Sequence, residues 1–509
     1  MAVRPISKDI VLSKAKSLNI PCYEQEAEKI TECINVILRS YERLDEIVEV
    51  VPEVKYGRTC GHRPTTDQNP YNAWYYKCDI KGAATGKLSG KRVGIKDNTA
   101  VAGVPMMNGS KIMEGYVPEF DATVVTRVLD AGGHIVGKAA CDDMCFDAGG
   151  FTNSIAPVLN PVDKRHLAGG SSSGCAALLA AGEVDLAVGG DQGGSIRIPA
   201  AWCGVVGLKP TYGLVPYTGA MAMLPCIDHL GPMTRNVSDC ALLLEVLAGY
   251  DDGRDPRQIQ DVSTQDYTAI LSKDLTGMRI AVVEEGFHGA QQEVEQVVRN
   301  AALKLKDLGA VVESVRVPIH PDGFHIFTPL TMEGAYQTMM KDHGFPAGLR
   351  GTRFLSLLDE VAHRQTSRPF NFSEPLRLAM ILGKHLMTTY KGRFYARAQN
   401  LVRLLTAEYN KVLESYDVMI MPTTLKTAPN VLLQDSSVAE RLTAGSGLGR
   451  NTAPFNATGH PSLSVNAGHV GGGLPVGMMI TGRHFDDATV LHVAYAFEHI
   501  RDNPTFTSI

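Results

Sequence analysis

The sequence predicts an α/β protein with a mixed, mostly parallel central sheet that helices cover on both faces. From about Trp74 to the C-terminus, short apolar runs that suit buried strands alternate with longer segments of helical periodicity. Strands that alternate with helices favour parallel pairing, because each helix returns the chain to the same end of the sheet. The chain has 509 residues, of which 44% are hydrophobic and 20% are charged, so it can bury a large core.

A helical segment precedes this domain. From Ile30 to Val48, apolar residues recur at helical spacing with charged residues between them. The stretch at 52–71 is rich in proline and polar residues and predicts a linker. We therefore expect an N-terminal helical segment at 1–70 and a main domain at 71–509, with a mainly helical subregion at about 320–410.

Each element of the main domain follows from its local pattern. RVGIKD, from Arg92 to Asp97, predicts a short strand, and the segment from Asp121 to Gly133 predicts a helix with an acidic start and a glycine stop. A strand at 134–139, a small-residue helix at 172–184 and a strand at 185–190 follow. The later predicted strands are 278–285, 311–318, 416–424 and 474–482, and the later predicted helices are 291–310 and 488–501.

Charge and hydropathy exclude several classes of protein. The formal net charge is −5 and the pI is near 6.3, so no basic surface for nucleic acid or an anionic membrane is expected. No stretch approaches 18 uninterrupted apolar residues, and the N-terminus lacks the apolar region of a secretory signal. The sequence therefore predicts a cytoplasmic protein without a membrane span.

The ten cysteines all lie before residue 241, and none forms a CxxC pair or a Cys/His cluster with zinc spacing. Free thiols in a reducing cytosol are therefore expected. Cys141 and Cys145 lie four residues apart, and we expect them to pack in the core rather than to bind a metal.

Three short stretches contain residues that are candidates for a catalytic site. GIKDN places Lys96 at the end of a strand, LAGGSSSGC places Ser171 between glycines before a helix, and GGDQGGSIR places Ser195 after two glycines. Taken one at a time, these stretches also suit a lysine at the rim of a sheet, an anion-binding loop at a helix start, and a flexible turn. Gly170 to Gly174 matches GxSxG, but no apolar strand precedes it, which argues against the nucleophile turn of an α/β-hydrolase.

Taken together, the three stretches indicate nucleophilic catalysis. Gly193 and Gly194 permit backbone angles that let N–H groups converge on one point, which a tetrahedral oxyanion requires. Ser195 follows them directly, so its hydroxyl is expected beside those donors.

The order of lysine, serine-glycine loop and GGSIR closely resembles the amidase signature family. Ser171 and Ser195 are 24 residues apart, the spacing that this family shows between its bridging serine and its nucleophile. The resemblance runs from about residue 74 to the C-terminus and returns in NTAPFNATGHPSLSVNAG. It is strongest towards the nitrile-pathway amidases and urethanases, which also carry an N-terminal helical segment.

The resemblance implies a role for each motif residue. Ser195 is the nucleophile, Ser171 the bridging serine and Lys96 the base, and the Gly170–Ser171 peptide bond is expected to be cis. Burial disfavours the charged form of an amine, so a buried lysine can accept a proton through a second hydroxyl. The oxyanion donors are expected to be the N–H groups of Gln192, Gly193, Gly194 and Ser195. No metal or organic cofactor is implied.

Further residues are expected to support the site. Asp191 and Arg197 flank the nucleophile and are expected to hold its loop, while Asn98 is expected to orient Lys96 or Ser171. Ser172 either bonds the proton relay or caps the following helix. By resemblance, Phe146, Asn451 and Phe455 line the acyl pocket.

The sequence thus predicts an amidohydrolase acting on small carboxamides, with alkyl carbamates such as ethyl carbamate as further substrates. The resemblance also implies a homodimer or higher homo-oligomer formed through residues 1–70. An alternative is the amidase subunit of a glutamine-dependent tRNA amidotransferase, but the helical segment argues against it and the DGVRYG-type glutamine-binding stretch of that family has no evident match. A catalytically dead scaffold is a second alternative, which the presence of the lysine and both serines disfavours.

Overall fold

The computed structural model describes residues 3–59, 61–345, 347–368, 371–433 and 435–501. The chain forms two compact units, Met1–Glu53 and Val54–Ile509. The boundary expected near residue 70 therefore lies inside the larger unit. The reason is that the polar stretch after residue 53 bonds to that unit: Arg58 pairs with Asp121 at 2.7 Å, and His62 exchanges backbone hydrogen bonds with Lys77.

The smaller unit is a pair of helices, α1 (Lys8–Ser17) and α2 (Glu24–Glu46). Ser7 caps α1 by accepting from the N–H of Ile10, and Asn35 of α2 bonds both backbone groups of Ile6, at 2.9 and 3.2 Å. The helical periodicity read from Ile30 to Val48 corresponds to α2, whereas α1 was not predicted.

One sheet organises the larger unit. In the part of the chain that the structure describes it has eleven strands, in the spatial order β1-β3-β2-β4-β6-β5-β10-β11-β9-β7-β8. Their bounds are β1 Trp74–Lys81, β2 Arg92–Lys96, β3 His134–Ala139, β4 Leu186–Asp191, β5 Val206–Lys209, β6 His229–Thr234, β7 Arg279–Val283, β8 Val311–Val315, β9 Val418–Pro422, β10 Ser462–His469 and β11 Pro475–Thr481.

The sheet is mixed, as predicted, but the expectation that it is mostly parallel is wrong. Six of the ten strand pairs among the described residues are antiparallel. The physical reason lies in the connections: β10 and β11 form a hairpin through a turn at 470–474, and β5 reaches β6 through an irregular loop. Neither connection contains the helix that a parallel crossover needs.

Helices cover both faces of this sheet. Along β4, Leu186 and Val188 face one apolar cluster and Ala187 faces another, as the alternation of a strand requires. The helices of the larger unit are α3 Thr123–Asp130, α4 Ser173–Ala180, α5 Arg197–Cys203, α6 Val237–Leu247, α7 Gln292–Lys304, α8 His320–Pro329, α9 Leu355–Ser367, α10 Glu374–Tyr390, α11 Arg393–Leu413, α12 Val438–Ala444, α13 Ala453–Thr458 and α14 Asp487–Ile500.

The stretch from α8 to α11 is largely helical. After α8 the chain continues in wide π-type turns at Leu330–Gly334 and Tyr336–Lys341 before α9 begins. No helix in the described ranges is long and apolar enough to cross a membrane.

Candidate active site

The three sequence motifs meet at one edge of the sheet. β2 and β4 are parallel neighbours, so their carboxyl ends lie side by side. Lys96 is the last residue of β2 and Asp191 is the last residue of β4. Ser171 lies in the loop that leads into α4 and approaches the same edge, which is the usual position of a site in an open α/β sheet.

Lys96 is fully buried, and its amine contacts two oxygen atoms and the Cys145 thiol. Its Nζ lies 2.8 Å from Ser171 Oγ and 2.9 Å from the carbonyl oxygen of Gly190. Among the described residues, no carboxylate forms an ion pair with this amine. The Gly170–Ser171 peptide bond is cis, as predicted. The amine is thus held by a hydroxyl, a carbonyl oxygen and a thiol, with no carboxylate at ion-pair distance among the described residues.

Ser195 is 5% exposed and lies in the wall of a cavity of about 350 Å³. The N–H of Ser172 donates to the carbonyl oxygen of Ser195 at 3.0 Å, which ties the loop of Ser171 to the loop of Ser195. Ser172 Oγ exchanges hydrogen bonds with the backbone of Gly190, at 3.0 and 3.2 Å. It does not cap α4, so of the two roles expected for Ser172 the structure shows the contact beside the relay.

Asp191 and Arg197 form a buried ion pair that holds the nucleophile loop. Arg197 reaches both carboxylate oxygens at 3.0 Å and also donates to the carbonyl oxygen of Thr452 and to Asn456 Oδ1. Burial alone would raise the pKa of Asp191, but the guanidinium, the N–H of Ile196 and the amide of Asn456 hold it well below its usual range. The carboxylate is therefore a fixed anchor for the turn that carries Ser195.

The expected set of oxyanion donors needs one correction. The N–H of Gly194, where φ is +137°, donates to Asp191 Oδ1 at 2.7 Å, so Asp191 already occupies this donor. Within the described ranges, the N–H groups of Gln192, Gly193 and Ser195 have no hydrogen-bond partner in the protein. These three remain available to a developing oxyanion.

The side chains of Gln192 and Asn98 both approach Tyr217. Gln192 Nε2 donates to Tyr217 Oη at 2.9 Å, and Asn98 Nδ2 lies 3.5 Å from the same oxygen. The other hydrogen bond of the Asn98 side chain is with Thr99. Asn98 was expected to orient Lys96 or Ser171, but the structure places its side chain on Tyr217 instead.

Cys145 is a site residue that the sequence analysis did not assign. Its thiol contacts Lys96 and Ser171, shares Asn108 Oδ1 with Cys141, and lies in the wall of the same cavity as Ser195. Burial would raise the pKa of this thiol, but its hydrogen bond with Cys141, the charge of Lys96 and the contacts with Ser171 and Lys96 lower it to about 7. The sequence offered one indication that Cys145 lies at the site, which is its position directly before Phe146, a residue expected in the acyl pocket.

Three residues were expected in the acyl pocket, and the structure brings one of them to the cavity. Phe146 lines the same cavity as Ser195. Asn451 is buried with its amide on the carbonyl oxygens of Gly286 and Pro422, and Phe455 packs in a core cluster with Tyr409. The expectation for Asn451 and Phe455 is wrong, because both side chains are buried in these contacts and neither lines the cavity; Gly449 and Ala453 of the same segment line it instead.

The remaining walls of the cavity are mainly apolar and come from distant parts of the chain. Phe324 and Phe327 project from α8, and Leu378 projects from α10. Such a pocket suits a substrate whose carbonyl reaches Ser195 while an apolar group fills the space beyond it.

The comparisons with known proteins show the family and the fold of this chain. A family model described as Amidase matches residues 58–491. An enantioselective amidase of Rhodococcus rhodochrous is 46% identical over 446 residues, which are 86% of this chain and 85% of that protein. A glutamyl-tRNA(Gln) amidotransferase subunit of Exiguobacterium sibiricum is 38% identical over 413 residues, which are 81% of this chain and 84% of that subunit. The crystal structure of the glutamyl-tRNA(Gln) amidotransferase subunit of Thermotoga maritima is similar with a TM-score of 0.70 and 30% identity, covering 85% of this chain and 89% of that chain.

Proposed function

The chain belongs to the amidase family of C–N hydrolases, and from this premise we propose that it hydrolyses small carboxamides through a Ser195 acyl-enzyme. One observation carries the proposal: the buried amine of Lys96 lies 2.8 Å from Ser171 Oγ, beside a cavity that Ser195 lines. A serine hydroxyl is a weak nucleophile until a base takes its proton, and this arrangement supplies a base without histidine.

The proposed first step forms the acyl-enzyme. Lys96 accepts the proton of Ser171 as Ser171 accepts the proton of Ser195, and Ser195 Oγ attacks the substrate carbonyl carbon. The N–H groups of Gln192, Gly193 and Ser195 stabilise the oxyanion, at about 3–4 kcal/mol for each donor in enzymes where it has been measured. The relay returns a proton to the departing nitrogen, which leaves as ammonia.

The second step regenerates the enzyme. Water attacks the acyl carbon, gives one proton to the relay, and releases the carboxylic acid as Ser195 recovers its hydrogen. An alkyl carbamate presents the same carbonyl, so ethyl carbamate would yield ethanol, carbon dioxide and ammonia. The apolar walls of the cavity support substrates whose acyl group is aliphatic or aromatic.

Ammonia release from four substrates tests this proposal. Acetamide, benzamide, ethyl carbamate and glutamine are incubated with the wild type and with Ser195→Ala. We expect release from at least one of the first three and loss of that release in the variant. No release from any of those three would overturn the proposal.

The glutamine arm addresses the alternative of a tRNA amidotransferase subunit. The 38% identity to the Exiguobacterium sibiricum protein supports that alternative, but the 46% identity to the amidase and the helical unit at Met1–Glu53 favour the free amidase. Recovery of a stoichiometric partner together with tRNA would favour the amidotransferase. A fluorophosphonate probe distinguishes the catalytically dead scaffold, because it labels Ser195 only if that hydroxyl is activated.

We also propose that the protein is a homodimer or higher homo-oligomer that assembles through its N-terminal helical unit. Ile30, Ile37, Tyr41 and Leu44 lie on one face of α2, and between 39% and 63% of each is exposed. An exposed apolar stripe of this kind is typical of an association surface. Light scattering on the full chain and on a chain lacking residues 1–53 tests this, and a monomer in both cases would refute it.

The state of the cysteines supports the cytoplasmic location proposed from the sequence. Nine cysteines carry free thiols, and the tenth, Cys60, lies outside the described residues. Free thiols suit a reducing compartment.

A further inference from the structure

One carboxyl group stands out in the mainly apolar cavity that Ser195 lines. Asp147 is in the cavity wall, next to Phe146. In the described part of the chain, no lysine, arginine or histidine lines this cavity. The helices across the cavity contribute Phe324, Phe327 and Leu378, which carry no charge. The cavity therefore contains an acid without a basic partner.

The carboxyl group of Asp147 is held firmly at this position. Its Oδ1 accepts from the N–H groups of Ala148 and Gly149, both at 2.6 Å. Its Oδ2 packs against Gly445, where an added Cβ would lie 2.6 Å away, so a side chain at that position would collide with the carboxyl. Both Asp147 and Gly445 line the cavity, and the close approach fixes the acid on its wall.

We propose that Asp147 recognises a positively charged group on the acyl side of the substrate, so that carboxamides bearing an ammonium group are preferred over neutral amides of the same shape. This rests on the proposed amidase function. Asp147 is half-buried in a mainly apolar cavity, where an opposite charge stabilises a carboxylate, and the substrate is the partner that the cavity itself lacks.

The titration of Asp147 agrees with an acid that has no basic partner. Burial and the neighbouring charge of Asp142 raise its pKa to about 8, despite the two backbone donors. The groups that titrate near it on its own loop are Asp142, Asp143 and Cys145, and the helical walls add no ionisable side chain to the cavity lining. The carboxyl is therefore ionised above pH 8 and neutral below it, and a bound cation would favour the ionised form.

The test uses two primary amides that differ in charge alone. Betaine amide carries a trimethylammonium group, and 3,3-dimethylbutanamide carries a tert-butyl group of the same shape. The ratio of their kcat/KM values is measured at pH 9 for the wild type, for Asp147→Asn and for Asp322→Asn. Asp322 is exposed on α8, so its replacement removes one negative charge without touching the cavity lining.

We expect the ratio of betaine amide to 3,3-dimethylbutanamide to fall about tenfold or more in Asp147→Asn and to stay unchanged in Asp322→Asn. In the wild type, the same ratio should fall as the pH is lowered from 9 to 7.5, because Asp147 takes up a proton near pH 8 while this range stays above the pKa of about 7 of the Cys145 thiol. This second measurement needs no variant and applies even if Asp147→Asn does not fold.

The outcomes separate this inference from the proposed function. If both amides are hydrolysed with a ratio that neither Asp147→Asn nor pH changes, Asp147 is not the recognition group, while the amidase function stands. If the wild type releases ammonia from neither of them and from none of the uncharged test amides, the amidase function fails and the inference fails with it.

Discussion

Two lysines buried at the same end of the sheet differ in what surrounds them. Lys96 ends β2 and contacts a hydroxyl and a carbonyl oxygen. Lys138 lies on the neighbouring strand β3, fully buried, with its Nζ 3.0 Å from Oδ1 of Asp97, the residue that follows Lys96. Successive side chains of an extended chain point to opposite faces, which keeps this carboxylate away from the Lys96 amine.

The comparison teaches which buried lysine can act as a base. Lys138 has a carboxylate at ion-pair distance, whereas Lys96 has none among the described residues and contacts the hydroxyl of Ser171 instead, as a base in a proton relay requires. The absence of a contacting carboxylate is not sufficient, since Lys209 is also buried and contacts only the carbonyl oxygen of Pro210, at 3.0 Å, and His229 Nε2, at 3.3 Å, among the described residues. Burial and the charge of Arg197 lower the pKa of Lys209 well below the usual value. Lys209 contacts no serine hydroxyl, so among these three buried lysines Lys96 alone contacts the hydroxyl of the proposed relay.

Replacing Lys96 is the most severe test of this comparison. In Lys96→Met, we expect kcat to fall about 10³-fold or more, because the relay loses its base while the apolar side chain still fills the buried space. Ammonia release measures turnover, and circular dichroism with a thermal melt measures folding. Hydrolysis close to the wild-type rate in a folded Lys96→Met protein would show that the lysine is not the base.

Arg197→Met tests whether the ion pair of the nucleophile loop serves both stability and turnover. We expect the free energy of unfolding to fall by about 3–5 kcal/mol, because Asp191 is left buried without its guanidinium. The kcat of the folded protein should fall about 10²-fold, since the turn carrying Ser195 loses its anchor. Denaturant unfolding and single-substrate kinetics measure the two effects.

Arg197→Lys is the control, because it retains the charge without the contact to both carboxylate oxygens. Its free energy of unfolding and its kcat should lie between those of Arg197→Met and the wild type. Unchanged stability would contradict the anchoring role.

Lys138→Met is the matched control for Lys96→Met. It should cost about 3–5 kcal/mol of unfolding free energy, because the Asp97 carboxylate loses its partner. Asp97 Oδ2 also accepts from the N–H of Met107. The double variant Asp97→Asn with Lys138→Met should therefore recover much of that loss, since an amide retains the acceptor without the charge. The kcat of the folded fraction should stay close to that of the wild type. A loss of turnover comparable with that of Lys96→Met would remove the distinction between the two lysines.

Cys145 offers a milder probe of the Lys96 surroundings. Its pKa of about 7 means that the thiol becomes a thiolate as the pH rises through 7, so the rate of alkylation by iodoacetamide should rise over that range. Peptide mapping by mass spectrometry identifies the modified residue, and a bound amide substrate should slow the reaction by filling the cavity. Burial raises the pKa of Cys203, which should stay unmodified under the same conditions. A labelling rate at Cys145 that does not change with pH would contradict the proposed contact with Lys96.

Much of the site was predictable because its chemistry lies in local patterns. A lysine at a strand end, a glycine-flanked serine before a small-residue helix and a second serine after two glycines each specify a backbone conformation within a few residues. The elements around them follow from hydrophobic periodicity, and the strands predicted at 92–97, 134–139 and 185–190 are present as β2, β3 and β4.

Other features depended on residues far apart in the chain. β6 contains Pro232, which local propensity disfavours in a central strand, yet it pairs with Val188 of β4. The backbone angles of Gly194 could be anticipated, but the hydrogen bond from its N–H to Asp191 could not.

The local sequence was enough to predict the proposed chemistry, the order of the proposed relay residues and the strands that carry them, because these depend on neighbouring residues. Which side chains face the cavity depends on the folded chain. Arg197 reaches Thr452 across 255 positions of the sequence, and such contacts turn Asn451 and Phe455 inward while Asp147 and Cys145 line the pocket. Whether a side chain points into the core or into the cavity is set by packing between distant segments, and no local sequence pattern encodes that packing.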